Sequence, residues 1–152
     1  MIRTVTGDVA TISGRILAHE HLQIDLSAQK GPANKVGADE EDAVVEDLLA
    51  AKEFGLAAIT DLSAPLWGRD PKALRRISER AGVKVVCAAG YYWDPFPDIA
   101  LASSVEEIRD AMIAEVEQGA DGTDVPSSIS AIMASRISST ELLSAISGNG
   151  SQ

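Results

Sequence analysis

Cysteine, histidine and basic side chains are all scarce in this sequence, and each scarcity excludes something. Cys87 is the single cysteine among 152 residues, so no disulfide forms within the chain and no thiolate-rich structural zinc site can be built from it. It lies inside the apolar run 83–89 and reads as a small buried hydrophobe in a strand, with no base among its neighbours Val86 and Ala88. Lys and Arg number 13 against 23 Asp and Glu, a net charge of −10. Phosphate backbones are held by cations that release counterions, so this balance excludes nucleic acid as a natural partner. No basic segment after Met1 leads into an apolar stretch, and no apolar run approaches the roughly 20 residues of a membrane span. The expectation is a cytoplasmic protein without membrane contact. No Gly-x-Gly-x-x-Gly follows the first strand candidate, which disfavours a dinucleotide site, and no internal repeat is evident.

What remains has the composition of a globular protein, 45% hydrophobic and 24% charged, at a length suited to one domain. The segment Thr4 to Ile12 alternates β-branched and small residues around Gly7-Asp8, which predicts an N-terminal hairpin turning at that dipeptide. Residues 15–22 read as the first strand, and Ser27, Gly31, Pro32, Asn34 and Gly37 mark a loop over 25–38. From Asp39 the positions Val44, Val45, Leu48, Leu49 and Phe54 recur at helical spacing, with Gly55 at the stop and the acidic run 39–47 on the solvated face. A second strand over 56–62 precedes a helix with Asp70 as N-cap, Pro71 at its first position, Leu74 and Ile77 inward and Gly82 at its end. The third strand spans 83–90. Ser104-Val105-Glu106-Glu107 is a capping box that opens a third helix running to Gly119. Strand and helix alternate throughout, a pattern that builds a parallel sheet in either a barrel or a doubly wound fold.

The chain has two histidines, His19 and His21, and residues two apart on a strand project to one face, so both imidazoles can reach one cation. On its own this is a weak signal of a metal site, because lone histidines serve equally well in cores and on surfaces. Four segments add to it in order along the chain: Ala18-His19-Glu20-His21-Leu22, Thr60-Asp61-Leu62-Ser63, Gly68-Arg69-Asp70-Pro71 and Ala89-Gly90-Tyr91-Tyr92-Trp93-Asp94-Pro95. Together they resemble the phosphotriesterase-like proteins, over roughly Thr4 to Val125. The resemblance implies an α/β fold, a partial (β/α)₈ TIM barrel comprising the first three to four βα units after the hairpin. It also implies a metal-dependent hydrolase of ester bonds, phosphotriester or lactone, working at a binuclear divalent-metal centre, most naturally zinc. In it His19 and His21 are metal ligands rather than bases, and Tyr91, Tyr92 and Trp93 line the pocket for a small ester or lactone. Asp61 at the end of the second strand has two readings, a carboxylate at the site itself or, the better supported, a residue that orients its neighbours and the turn by hydrogen bonds.

The sequence departs from that pattern in its last part. After Val125 serines crowd a segment with Arg136 and Glu141 as its charged residues, and Ala131 stands where the resemblance would place a carboxylated lysine bridging the metals. We read residues 1–125 as the N-terminal portion of the barrel and 126–152 as a divergent Ser-rich tail, unstructured or in short helices, that arises by truncation or a frame change. Two imidazoles fill half of a tetrahedral ion, so the chain alone is expected to have little or no activity. The alternative is a non-catalytic barrel fragment that binds metal weakly or serves as an interaction module. Exposed sheet edges predict self-association in either case.

Overall fold

The structure, a computed structural model, describes residues 1–91 and 98–128. The hairpin forms from β1 (Ile2–Thr4) and β2 (Gly7–Val9), antiparallel with Thr4 opposite Gly7. Its turn is therefore Val5-Thr6 and not Gly7-Asp8, which begins the second strand instead. The reason is tertiary: Val5 is fully buried and its N–H donates to the Val85 carbonyl at 2.8 Å, so the turn is pinned into the core by a distant strand. Local turn chemistry yields to that contact.

The first long strand, β3 (Arg15–Glu20), stops just before His21. The predicted loop that follows contains short structure of its own: β4 (Ile24–Asp25), the helical turn α1 (Ser27–Lys30) and β5 (Lys35–Val36), with β4 and β5 antiparallel. Helix α2 (Glu41–Glu53) then leads through Gly55 into β6 (Leu56–Asp61). Helix α3 (Pro71–Ala81) starts as expected, Asp70 accepting hydrogen bonds from the N–H groups of Lys72 and Ala73, each at 3.0 Å. It ends at Gly82 with φ of 63°, a left-handed conformation that a side chain would strain. Strand β7 (Lys84–Cys87) follows, then a short helix α4 (Asp98–Ala102) that the sequence did not suggest. Helix α5 (Val105–Gln118) closes the described part, its capping box formed by Ser104 and Glu107.

Strands β3, β6 and β7 make one parallel sheet in that order, each joined to the next through helix, so the chain contains three successive βα units. Beyond β7, Ser128 exchanges backbone hydrogen bonds with Cys87 and Ala89 at 2.8 and 2.9 Å. The next segment thus meets the far edge of the sheet. Helix α2 packs on β6 and α3, and α3 on β7, burying Ile59, Leu74, Ile77, Val83 and Val85 almost completely. Each such side chain stabilises the fold by roughly 2 kcal/mol relative to exposure.

Burial is uneven. Val45 and Leu48 of α2 enter the core, but Leu49 and Phe54, read from the sequence as the same apolar stripe, are 44% and 73% exposed. Strand β3 is open as well: Ile16 and Leu17 are 51% and 42% exposed although they point to opposite faces. An apolar strand uncovered on both faces and along one edge lies at the border of the described sheet. Among the described residues no helix is long and apolar enough to cross a membrane.

Candidate functional site

Parallel strands gather functional groups at their C-terminal ends, and the register places those ends together here: Glu20 lies opposite Asp61, and Asp61 opposite Cys87. His19 and His21, Asp61 and Ser63, and Ala88 through Tyr91 therefore share one rim. Strand β3 is irregular at this point. Leu17 pairs with Ile59 and Glu20 with Asp61, so β3 has one residue more than β6 between the two pairings. Such a bulge re-aims side chains, and simple alternation no longer decides where His19 and His21 point. They nevertheless converge: the ring centroids are 5.2 Å apart and the planes meet edge-on at 76°.

That separation can be compared with what one cation requires. An ion about 2.1 Å from one nitrogen of each ring lies about 3.2 Å from each centroid, and tetrahedral geometry then sets the centroids about 5 Å apart. The observed centroid spacing equals that distance, which is also the spacing of an ordinary edge-on contact between two rings. Among the described residues, no group of three or more His, Cys, Asp or Glu side chains could complete such a site.

The two rings have different surroundings. His19 is exposed, whereas His21 is half-buried with Nδ1 3.1 Å from the hydroxyl of Ser63. Burial lowers the pKa of His21 below the usual imidazole value, with the nearby Asp61 charge opposing the shift and His19 adding to it. The neutral ring that a metal needs is thereby favoured.

Asp61, fully buried, takes the role the sequence indicated. Its Oδ2 accepts from the Leu22 N–H at 2.6 Å and its Oδ1 from the Ser63 N–H at 3.0 Å. Burial pushes its pKa up, and these hydrogen bonds pull against that. With both oxygens engaged, Asp61 ties the segment after β3 to the loop after β6 and so holds the His21 and Ser63 backbones in place. Tyr91, half-buried, lines a cavity of about 40 Å³ with Pro65, Gly90, Ala111, Met112 and Glu115, between the rim and α5. Tyr92, Trp93 and Ala131 lie outside the described residues.

Arg69, within the segment Gly68-Arg69-Asp70-Pro71, has a role that the sequence alone does not reveal. Its side chain is wholly buried, at the centre of an ion-pair cluster. Nε and Nη2 grip the Asp121 carboxylate at 2.8 and 2.6 Å, Nη1 donates to the Ala88 carbonyl at 2.5 Å, and Nη2 also reaches Glu115. Burial alone would favour loss of its proton, but the hydrogen bonds to Asp121 and the charge of Glu115 outweigh it, so the guanidinium is held above its usual value. One side chain thus joins the loop after β6, the end of β7, helix α5 and the turn at 120–122. Asp121 adopts φ of 50°, unusual for a residue with a side chain, and its two bonds to Arg69 hold it there. A signal was available in the pairing of Gly68-Arg69-Asp70 with Asp121-Gly122, but charges that meet only in three dimensions cannot be matched from one sequence. Cys87 is buried and unpaired, its thiol pushed up to about 12 chiefly by burial, which agrees with an inert core residue.

Comparison with known proteins gives these residues a context. The profile of the phosphotriesterase family matches residues 1–146. The phosphotriesterase homology protein of Escherichia coli is 32% identical over 118 residues, spanning 77% of this chain and 40% of that protein. The N-acetyltaurine hydrolase of Rattus norvegicus is 30% identical, spanning 82% of this chain and 44% of the enzyme. Among solved structures, the Escherichia coli protein, crystallised with phosphate in its active site, superposes with a TM-score of 0.70 over 76% of this chain and 40% of its own, at 31% identity. A mutant PTE-like lactonase from Deinococcus radiodurans superposes with a TM-score of 0.69 over 84% of this chain and 43% of its own, at 27% identity. The chain therefore spans about two fifths of the length of these relatives.

Proposed function

The chain belongs to the phosphotriesterase family, and on that premise we propose that it is the N-terminal portion of a (β/α)₈ metal-dependent hydrolase in which His19 and His21 hold a divalent cation. The observation that carries this reading is the convergence of the two rings at the C-terminal end of β3, 5.2 Å apart. Zinc suits two imidazole donors, and a divalent cation bound there would supply a Lewis acid and an acidified water. The chain's own part is to position that ion: the carboxylate of Asp61 fixes the backbone at Leu22 and Ser63, and Ser63 fixes the ring of His21. Tyr91, with Tyr92 and Trp93 beside it in the sequence, forms one wall of the substrate pocket.

The substrate class is a small molecule with an ester, lactone or amide bond, as the relatives named for N-acetyltaurine hydrolysis and lactonase activity suggest. Purified chain supplied with Zn²⁺ is expected to hydrolyse an aryl phosphotriester, a lactone or N-acetyltaurine slowly, and His19→Ala or His21→Ala is expected to abolish the rate. A rate indifferent to both substitutions would contradict the reading.

A second reading is favoured by one observation, the absence of a third donor among the described residues. On it the chain is a non-catalytic module that binds a cation weakly. The edge of β3, unpaired among the described residues and with Ile16 and Leu17 exposed, adds self-association to either reading. Sedimentation velocity over rising concentration is expected to show a growing average mass. A single monomeric species throughout would rule the association out.

A further inference from the structure

We propose that Glu115 is a positioning residue for the substrate pocket, fixing the wall that begins at Tyr91 through the N–H of the residue before it. The proposal rests on the reading of Tyr91 as part of that wall. Three residues, Ala88, Ala89 and Gly90, connect β7 to Tyr91, and each is held from a different direction. The Ala88 carbonyl accepts from Arg69 Nη1 at 2.5 Å, the Ala89 N–H donates to the Ser128 carbonyl at 2.9 Å, and the Gly90 N–H donates to Oε2 of Glu115 at 3.4 Å. The last contact is long, and a carboxylate acceptor strengthens it. It also matters most for Tyr91. Gly90 has φ of 103°, in a region that glycine enters as readily as any other, so its own backbone does little to set the direction in which the chain leaves. A bond from outside sets it.

Glu115 can serve as that strut because it is itself fixed. Its side chain is 17% exposed, and its Oε1 accepts from Arg69 Nη2 and from the Asp121 N–H. Oε1 is thus committed to the ion-pair cluster, while Oε2 holds Gly90. Glu115 and Tyr91 line the same cavity, with Pro65, Ala111 and Met112 as its apolar walls, so moving the strut changes the shape of that space directly. Glu115→Gln separates the two tasks at constant size. Its one carbonyl oxygen goes where two donors converge, one of them cationic, in the place of Oε1. The amide NH₂ then faces the Gly90 N–H, donor against donor. The substitution removes the hold on Gly90 and keeps the contact with Arg69.

The chain has two tyrosines, so 3-fluorotyrosine in a Tyr92→Phe background reports on Tyr91 alone. Fluorine spectra in H₂O and D₂O should give Tyr91 a solvent isotope shift well below that of the free amino acid, and a larger one in Glu115→Gln. Ile77→Val, which removes a core methyl group without touching this hydrogen bond, should leave the signal unchanged. A Tyr91 signal with the full isotope shift of the free amino acid overturns the proposal, and this result needs no Glu115 variant to fold. A signal unmoved by Glu115→Gln, or moved equally by Ile77→Val, overturns it too. With Zn²⁺ and an aryl phosphotriester, Glu115→Gln should raise KM about tenfold with kcat nearly unchanged, as when a pocket contact made equally in ground and transition states is lost. A fluorine change with no change in KM overturns the pocket role. The expected fluorine behaviour with no hydrolysis by any form would overturn the hydrolase reading, and the pocket role with it, while the hold of Glu115 on Tyr91 stands, so the failures are distinguishable.

Discussion

Replacing Arg69 by methionine is expected to lower the stability of the fold by about 3 kcal/mol, the loss typical when one partner of a buried ion pair is removed. Methionine keeps much of the packing volume, so the effect reports the charge and its hydrogen bonds rather than a cavity. Four acceptor atoms in three groups lose an Arg69 donor together: the Ala88 carbonyl, Glu115 Oε1 and both oxygens of Asp121. Glu115 and Asp121 retain 17% and 27% of their side-chain exposure, so water compensates them in part, and this places the expected loss at the low end of the range. Arg69→Lys keeps the charge but cannot span Asp121 with two parallel bonds, and should fall between the parent and Arg69→Met. A triple substitution, Arg69→Met with Glu115→Gln and Asp121→Asn, should recover part of the loss because no uncompensated charge remains. Urea unfolding midpoints at a common slope measure all three. An Arg69→Met protein within about 0.5 kcal/mol of the parent, the spread of ordinary surface substitutions, would show that the cluster is incidental.

Much of this structure could be read from local signals, and the parts that could not share a cause. Asp70, Pro71 and Gly82 mark the ends of α3 because a cap, a fixed φ and a left-handed stop are properties of single residues. Ser104 and Glu107 mark the start of α5 for the same reason. The strand order follows from alternation of strand and helix, which the sheet of β3, β6 and β7 bears out. Where distant residues decide, the local reading fails. The hairpin turns at Val5-Thr6 because Val85 and Arg75 capture the backbone of Val5. Leu49 and Phe54 have the spacing of core residues, yet the described sheet extends no further than β3 to cover them.

The site divides in the same way. The His19 and His21 pair stands out because two residues apart on a strand is a local relation. The bulge in β3 broke the alternation on which that inference rested, and the rings still came within 5.2 Å of each other. Ser63 and Arg69 were visible only as members of motifs. Their roles depend on His21, Asp61, Glu115 and Asp121, partners 42, 2, 46 and 52 residues away in sequence.

The second large effect concerns cation affinity. If His19 and His21 together hold one ion, His19→Ala and His21→Ala should each weaken binding on the order of a hundredfold, about 2.8 kcal/mol. Affinity should also fall with acidity, because only the neutral imidazole is a ligand and protons compete for its lone pair. For His21, whose pKa burial holds below the ordinary 6.5, that competition begins at lower pH than for an unperturbed ring. Binding should therefore be full at pH 8 and weaken progressively as acid protonates the ligand nitrogens.

The most direct measurement is the anomalous difference map of a crystal soaked in Zn²⁺ and recorded at the zinc absorption edge. The account predicts a peak about 2.1 Å from one nitrogen of each ring. Zinc bound elsewhere on the chain, with no density between the two rings, would contradict it.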